Sequence, residues 1–351
     1  MSGFLYRRIV RPALFGLDPE VSHRLAIGLL RTWNRLPRAA SAARRIVLDP
    51  VHEVSALGLR FDHRFGLAAG FDKNARALWG LYALGFAFVE VGSVSARAWS
   101  GNPRPRVWRV PANRALINRM GLPSDGAEAV AKRLRRRPPF PVFVNVAKTA
   151  DPAVVGDAAV ADIRRAVEVL APVADAVVLN LSCPNTVDGR TFEEPAALEE
   201  LLRALQDVKK SRPILLKVSP DLSRPALEAV ADAALRNGVR GFVATNTTTD
   251  RTDLGPSPRE GWPEGGVSGP PLREKSVATV RALRSFAGRG PVIVGCGGVE
   301  GPADIERFLE AGADLVEAYT GFIYEGPSFC RTLIRSSRGA QGVPSAQRCS
   351  K

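Results

Sequence analysis

The chain has 351 residues, 45% of them hydrophobic and 24% charged, which is the composition of a globular protein with a sizeable core. Its four cysteines show no metal-ligand spacing and its three histidines all precede the first predicted core strand, which argues against zinc sites, disulfide frameworks and histidine-based catalysis and favours a reducing cytoplasm. The net charge of +14 points to an anionic partner, and no apolar run is long enough to span a bilayer or to act as a secretory signal.

The positive charge is concentrated at the N-terminus, where the first 45 residues hold nine arginines against only Asp18 and Glu20. The residue pattern predicts helices over 2–14 and 19–36, the second beginning just after Asp18, a good N-cap residue. An apolar stripe in the second helix lies opposite its arginines. This pair either packs on the main domain or lies as an amphipathic anchor on an anionic membrane surface, and the sequence leaves both possibilities open.

The next residues predict a linker rich in Pro, Ala, Ser and Arg up to residue 45, and then a small hairpin over 54–61. From Phe65 onward, apolar runs that predict strands alternate with amphipathic patterns that predict helices. The strands are expected over 65–69, 86–92, 141–146, 175–181, 213–218, 241–245, 291–295 and 314–319. The helices that follow them include 124–136, 157–170, 195–209, 224–237, 273–286 and 302–311.

This repeat predicts the α/β class and, within it, a (β/α)8 TIM barrel with an N-terminal helical extension. Eight strand–helix units over roughly 270 residues is the count and size of that fold. A doubly wound sheet also alternates, but the first strand is not followed by Gly-x-Gly-x-x-Gly. The segment 93–122 is expected to be an inserted β excursion over the barrel top, and 337–351 a disordered tail.

The stretch from Ala174 to Thr186 is the most informative, because a buried strand here ends in Asn180-Leu-Ser-Cys-Pro-Asn. The carboxyl ends of barrel strands are where chemistry is done, so Asn180, Cys183 and Asn185 are candidates for a site. The alternative is a simple β-to-α turn in which these polar residues cap backbone groups.

The other strand ends add complementary groups. The first ends in the small residues Ala69 and Gly70, which let a flat ligand approach the backbone, and continues to Lys73. Lys217 lies in an apolar strand, where an ammonium group needs an anionic partner. The glycines around Gly298, close to a short helix after the last strand, match the phosphate site of this fold, although they could also serve tight turns only.

Together these groups imply a ligand with a phosphate tail and a flat ring, beside a polar substrate. Asparagine amides suit a ring that carries amide groups, such as a pyrimidine, and four are expected around the substrate: Asn118, Asn180, Asn185 and Asn246. FMN carries a flat ring on a phosphate tail, so flavin redox chemistry is the natural interpretation.

Six motifs resemble the dihydroorotate dehydrogenase family: Leu67-Ala-Ala-Gly-Phe-Asp-Lys73, Ile117-Asn-Arg-Met-Gly121, Asn180-Leu-Ser-Cys-Pro-Asn-Thr186, Ala244-Thr-Asn-Thr-Thr248, Gly265-Gly-Val-Ser-Gly269 and Tyr319-Thr-Gly-Phe-Ile323. The similarity runs from about residue 4 to 336. The N-terminal extension, with Ala13-Leu-Phe-Gly-Leu-Asp-Pro-Glu20, resembles that of the membrane-associated, quinone-using class 2 enzymes.

The resemblance implies oxidation of (S)-dihydroorotate to orotate in pyrimidine (UMP) biosynthesis, with FMN as cofactor and Cys183 as catalytic base. FMN is expected to contact Ala69, Gly70, Lys73, Ser93, Asn145, Asn180, Lys217, Thr245, Gly269, Gly298, Tyr319 and Thr320. Dihydroorotate is expected to contact Lys73, Asn118, Arg119, Met120, Gly121, Leu122, Asn180, Asn185, Asn246 and Thr247.

The resemblance also implies a location and partners. Residues 1–45 would form a membrane and quinone-access extension, 46–336 the FMN-binding barrel, and the protein would lie peripherally on the cytoplasmic side of the cell membrane. Neither a nucleic-acid partner nor a metal is expected.

Some residues depart from the class 2 pattern. Cys183 stands where class 2 enzymes usually have serine, and Leu122-Pro-Ser stands where the family usually has Phe-Asn-Asn or similar. Two alternatives therefore stay open. One is a related FMN oxidoreductase that acts on another dihydropyrimidine-like ring, and the other is a non-catalytic barrel that binds a phosphate ligand or nucleic acid.

Overall fold

The fold is a closed barrel of eight parallel strands, seen in a computed structural model that describes residues 3–48, 53–181, 192–209, 211–256 and 261–336. In chain order the barrel strands are β1 (Phe65–Leu67), β2 (Val89–Val94), β3 (Val142–Val146), β4 (Ala176–Asn180), β5 (Ile214–Val218), β6 (Gly241–Ala244), β7 (Val292–Cys296) and β8 (Leu315–Ala318). Each strand pairs with its neighbours in sequence, and β8 closes the barrel against β1. The predicted TIM barrel is confirmed.

Helices surround the barrel at the positions that the sequence predicts. The described helices of the barrel wall are Leu78–Ala83, Ala127–Leu134, Asp157–Leu170, Pro195–Ala204, Gln206–Lys209, Arg224–Arg236, Arg273–Ala287, Pro302–Glu310, Thr320–Glu325 and Phe329–Ser336. Short 3-10 turns lie at Pro111–Asn113, Ala171–Val173, Thr252–Leu254, Pro270–Leu272 and Gly326–Ser328. Each long helix buries one apolar stripe on the strands, as Ile163, Val167 and Leu170 do in Asp157–Leu170.

The amino end of the barrel is closed by the predicted hairpin, whose strands are Val54–Ala56 and Leu59–Phe61. Phe61 lies edge-on to Phe88 and Phe143, with ring centroids 5.4 and 6.2 Å apart, and all three are fully buried. This aromatic plug fills the amino end, so the carboxyl end is the one left for a ligand.

The predicted insertion over the barrel top is confirmed as a β structure. Val107–Val110 and Ala115–Asn118 form an antiparallel pair, and Gly266–Ser268, from the β6–β7 connection, adds a third strand. In this sheet Asn118 lies opposite Gly266. The insertion is therefore tied to a loop from the other side of the barrel mouth.

The N-terminal residues are helical over Gly3–Leu5, Tyr6–Val10 (a π turn), Arg11–Phe15, Pro19–Thr32 and Trp33–Arg35 (a 3-10 turn). As predicted, Asp18 caps the long helix, and its carboxylate accepts from the backbone N–H groups of Glu20 and Val21 at 2.9 and 3.0 Å. The helix packs closely on Leu78–Ala83, because a Cβ at Gly80 would lie 2.6 Å from the Leu30 carbonyl oxygen.

The predicted linker up to residue 45 is wrong, since Pro37–Leu48 is a helix. Alanine is the strongest helix former and proline is well placed at a first helical turn, so the composition that suggested a linker supports a helix. Packing decides the outcome: buried Arg44 donates to the carbonyl oxygens of Tyr82 and Phe86, both at 2.9 Å, and pairs with Asp62. The predicted tail, 337–351, lies outside the described residues.

Candidate active site

A cavity of about 600 Å³ lies at the carboxyl ends of the strands, a size within the ~300–1,000 Å³ of small-molecule pockets. Its walls are the strand ends of the barrel, the inserted β sheet and the N-terminal helices. Backbone geometry brings these walls together, because parallel strands direct all of their carboxyl ends to the same mouth.

Nearly all of the predicted ligand contacts lie in the walls of this one cavity. Those assigned to the cofactor are Ala69, Gly70, Lys73, Ser93, Asn145, Asn180, Lys217, Thr245, Gly269, Gly298, Tyr319 and Thr320. Those assigned to the substrate are Asn118, Arg119, Met120, Gly121, Leu122, Asn246 and Thr247. Two more, Cys183 and Asn185, lie outside the described residues. The structure brings the described residues together, and their binding roles stay predictions.

One wall of the cavity is flat because a glycine replaces a side chain there. Gly70 has a φ of 101°, and a Cβ at this position would lie 3.4 Å from the Tyr319 ring and 3.7 Å from Lys73 Nζ. Lys73 Nζ donates to the Gly70 carbonyl oxygen at 2.5 Å. Burial, and then the nearby Arg106 charge, lower the pKa of Lys73 to about 8. This ammonium group is therefore poised to gain from an anionic ligand.

The floor of the cavity contains a buried ion pair. Lys217 Nζ on β5 lies 2.9 Å from Glu90 Oε2 on β2, and Asn145 Nδ2 on β3 donates to Glu90 Oε1 at 2.5 Å. Burial disfavours the charged form of Lys217, but the Glu90 carboxylate outweighs that effect and raises the lysine pKa. Asn145 Oδ1 is buried with no hydrogen-bond partner among the described residues, so an acceptor stands ready for a ligand donor.

A set of amides forms the side of the cavity. Asn180 Nδ2 donates to Ser93 Oγ at 3.0 Å, and Asn246 Nδ2 donates to Asn180 Oδ1 at 3.2 Å. Asn246 Oδ1 in turn accepts from the backbone N–H of Thr247 at 2.9 Å. The amides are thus oriented by one another before any ligand is bound, which lowers the entropy cost of binding.

The loop that carries Asn246 is held by a neighbouring polar cluster that sequence reasoning missed. Asp221 accepts from Thr248 Oγ1 at 2.5 Å and from the backbone N–H of Thr249 at 2.7 Å. Lys275 Nζ lies 3.2 Å from Asp221 and 3.0 Å from Asp250. These contacts join the β5 and β6 units at the mouth and fix the loop after β6.

A family model described as "Dihydroorotate dehydrogenase" matches residues 51–337. The "Dihydroorotate dehydrogenase (quinone)" of Thermus thermophilus is 45% identical over 329 residues, which are 92% of this chain and 93% of that protein. A protein of the same name from Clavibacter michiganensis is 43% identical and covers 94% and 97% of the two chains. The crystal structure of an Eimeria tenella DHODH with ferulenol superposes with a TM-score of 0.80, at 30% identity and 92% and 91% coverage.

The chain belongs to the dihydroorotate dehydrogenase family. The family resemblance in the six motifs is thereby confirmed, and membership makes this a flavin-dependent oxidoreductase. The relatives are named for quinone as acceptor, in agreement with the resemblance of the N-terminal extension to class 2 enzymes.

In this dehydrogenase the cavity continues from the barrel mouth to the N-terminal helices. Glu20 pairs there with Arg106 at 2.9 Å and with Arg104 at 2.7 Å. The His23 ring lies edge-on to the Phe71 ring, with the two ring centroids 5.2 Å apart. Burial, and to a smaller extent the charge of Lys73, lowers the pKa of His23 to about 4. The histidine is thus neutral at physiological pH.

Sequence reasoning missed the carboxyls that surround Lys217. Glu90 interrupts the apolar run Phe86-Ala-Phe-Val-Glu-Val, and Glu317 interrupts Leu315-Val-Glu-Ala. Both are fully buried, at 2% and 0% exposure. An isolated charge in a predicted buried strand needs a partner, so the sequence carries the same signal at Glu90 and Glu317 as at Lys217.

Lys217→Met is expected to lower the free energy of unfolding by about 3–5 kcal/mol, because it leaves the Glu90 carboxylate buried without a cation. The double variant Lys217→Met/Glu90→Gln removes that charge as well and should recover most of the loss. Urea unfolding of the two variants and the wild type measures the difference.

Lys148→Met is the matched control. Lys148 is also buried, but its Nζ donates to the Val154 carbonyl oxygen at 2.6 Å and is not in the described cavity wall. Lys148→Met should lower the free energy of unfolding by less than Lys217→Met does. Adding Glu90→Gln to Lys148→Met should not restore any of that loss. A Lys217→Met protein as stable as the wild type would contradict the ion pair.

Proposed function

We propose that this chain binds FMN in the barrel cavity and oxidises (S)-dihydroorotate to orotate, with a quinone as electron acceptor, in pyrimidine biosynthesis. Family membership and relatives named for this activity support the assignment. The observation that carries it is the single cavity that joins a buried lysine, a flat glycine wall and an oriented set of amides. Each of these groups would bind one part of the flavin or of the substrate.

The described residues fit a flavin. Asn145 Oδ1, an unpaired buried acceptor, suits an N–H of the flavin ring, and the open face of Gly70 leaves room for a flat ring beside Tyr319. Gly298 and Thr320 follow β7 and β8, where this fold commonly binds phosphate, and Gly269 lines the same cavity. FMN supplies the hydride acceptor that no side chain of the chain can provide.

The side chains for the substrate lie next to these groups. Asn118, Asn180 and Asn246 offer donors and acceptors to the amide groups of the dihydropyrimidine ring. The Lys73 ammonium group suits its carboxylate. Because Asp221 and Asn180 already hold the asparagine loop in place, substrate is oriented with little loss of side-chain freedom.

Proton removal is assigned to Cys183. It follows Asn180, which lines the cavity, by three residues, and lies outside the described residues. A thiol has a reference pKa of ~8.5, far closer to neutrality than a serine hydroxyl, so it can act as a base without a histidine. Cys183 is proposed to take the C5 proton as hydride leaves C6.

The N-terminal helices are assigned to quinone and membrane. Eight of the ten large hydrophobic residues that are exposed in the described part of the chain lie before residue 48: Phe4, Leu5, Ile9, Leu17, Leu25, Leu29, Leu36 and Ile46. They share this segment with nine arginines, which suits an anionic lipid surface. In the described residues no helix has the length and apolar character to cross a membrane. Peripheral attachment on the cytoplasmic side is the corresponding proposal.

One observation favours a different substrate. Leu122 lines the cavity with a positive φ of 54°, and it is followed by Pro123 and Ser124 where the family usually has two asparagines. A related dihydropyrimidine-like ring without a carboxylate is therefore the alternative substrate, with FMN unchanged.

The purified protein should carry a flavin that dihydroorotate bleaches under anaerobic conditions and that a quinone, but not fumarate, reoxidises. The lysine and amide groups around the cavity are the reason to expect this substrate, and the N-terminal end of the cavity is the reason to expect this acceptor. A flavin that stays oxidised with dihydroorotate but bleaches with another dihydropyrimidine would establish the alternative. A colourless protein that cannot be loaded with FMN would refute both.

Cys183→Ala should keep FMN but lose about 10²–10⁴-fold in the rate of flavin reduction, because that is the usual contribution of a positioned base. Cys183→Ser should retain more activity, with its pH dependence displaced to higher pH, since a hydroxyl is a weaker acid than a thiol. Stopped-flow reduction by dihydroorotate measures both rates. The buried Cys330→Ala variant, outside the cavity wall, is the control for loss of a thiol elsewhere. A near wild-type rate in Cys183→Ala would mean that another group takes the proton.

Replacing Phe4, Ile9 and Ile46 together by serine should weaken binding to vesicles of phosphatidylglycerol and lower turnover with a membrane-embedded quinone. These side chains are 68%, 61% and 71% exposed and lie outside the cavity wall, so their loss removes apolar area that would enter lipid and leaves the core unchanged. Flavin reduction by dihydroorotate should not change. Phe286→Ser, on a barrel-wall helix, is the control and should bind vesicles normally. Equal vesicle binding by the triple variant would contradict the assignment.

A further inference from the structure

The floor of the cavity has one carboxyl more than its ion pair needs. Lys217 Nζ lies 2.9 Å from Glu90 and 4.0 Å from Glu317 Oε2, on β8. The three side chains come from three different strands and are at most 5% exposed. Lys217 reaches the cavity wall, whereas the two carboxyls lie behind it in the barrel interior.

The two carboxyls have different surroundings. Both oxygens of Glu90 are occupied, one by Lys217 and the other by the Asn145 amide. Neither oxygen of Glu317 has a hydrogen-bond donor among the described residues. An ionised Glu317 carboxylate would be unfavourable here, because it is removed from water and the nearest cation, Lys217, already pairs more closely with Glu90.

A proton on Glu317 resolves this conflict. The protonated carboxyl becomes a donor, and the Glu90 carboxylate beside it is the acceptor within contact. Burial and the Glu90 charge both raise the pKa of Glu317, while Lys217 acts in the opposite direction. In the described part of the chain, Cys296 on β7 also lies beside this cluster; burial raises its pKa to about 12, so it stays a neutral thiol.

We propose that Glu317 is a positioning residue for the redox reaction: it holds a proton against Glu90 and so keeps a second negative charge away from the Lys217 ammonium that faces the flavin. The inference rests on the proposed binding of FMN in this cavity. The cluster of Lys217, Glu90 and Glu317 is then neutral as a whole. An ionised Glu317 would instead give it a net negative charge and would disfavour the negative charge that a flavin gains on reduction.

The first test is the proton itself. The wild-type holoenzyme at neutral pH should show the infrared carbonyl band of a buried protonated carboxylic acid, and Glu317→Gln should lack it in the difference spectrum. Glu90→Gln should also lose it, because Glu317 then ionises to pair with Lys217. A wild-type spectrum without a band that depends on Glu317 would overturn the proposal. This measurement reports on the carboxyl group and not on the reaction, so its outcome does not depend on the substrate or the electron acceptor.

The second test is the flavin midpoint potential at neutral pH, measured by anaerobic spectroelectrochemistry. The wild type, Glu317→Gln and Glu90→Gln should have closely similar potentials, because the cluster is neutral in all three. The double variant Glu90→Gln/Glu317→Gln leaves Lys217 without a carboxylate partner, and its flavin midpoint potential should be clearly more positive than that of the wild type. A Glu317→Gln potential well above that of the wild type would mean that Glu317 is ionised and would overturn the proposal.

The single variants decide the question even if the double variant does not fold. A protein that binds no FMN refutes the proposed function, whereas a loaded protein with the wrong order of potentials refutes only the role of Glu317.

Discussion

Closure of the parallel barrel is the constraint on which the rest of the structure depends. Each strand contributes only three to six residues, and a strand this short is stable only when both neighbours pair with it and helices cover it. Closure also has a chemical consequence, because it places eight carboxyl ends around one mouth. Residues as distant in sequence as Gly70 and Tyr319 thereby become neighbours.

Closure of the barrel also buries charged side chains, which the chain stabilises by pairing them inside the barrel. Charged side chains that point into the barrel lose their hydration, and each must find a partner across the interior. Lys217 and Glu90 do so with the help of Asn145, and the charge that reaches the cavity depends on the balance among them. The proposed cofactor site, with a cation near the flavin ring, is thus built from groups that would be unstable one at a time.

The N-terminal helices serve the barrel in two ways. They close one side of the cavity, with Glu20 and its two arginine partners at the boundary, and they keep an unusually apolar outer surface. Exposed apolar side chains interspersed with arginines are unfavourable in water alone but stable where lipid meets water. The segment is anchored to the barrel by contacts such as the stacking of Arg44 over Tyr82, at 4.3 Å.

The sequence by itself determined the barrel and most of the cavity wall. Continuous apolar runs predict strands that are covered on both faces, and the amphipathic helices between them predict that these strands are parallel. A residue that directly follows such a strand is then expected at the mouth of the barrel. That is why the sequence alone places Lys73, Asn180 and Asn246 at the mouth of the barrel. The strand bounds are correct to within about three residues for the same reason.

Only the tertiary structure decided the features that depend on partners distant in the sequence. The helix Pro37–Leu48 is stabilised by contacts of Arg44 with residues 62, 82 and 86, which no local pattern contains. The Asp221 cluster joins two strand–helix units, and the pairing of Lys217 with Glu90 requires that β5 and β2 face each other across the barrel. The local sequence predicts that a buried charge needs a partner. It does not identify that partner, because the distance between two strands is set by the whole barrel.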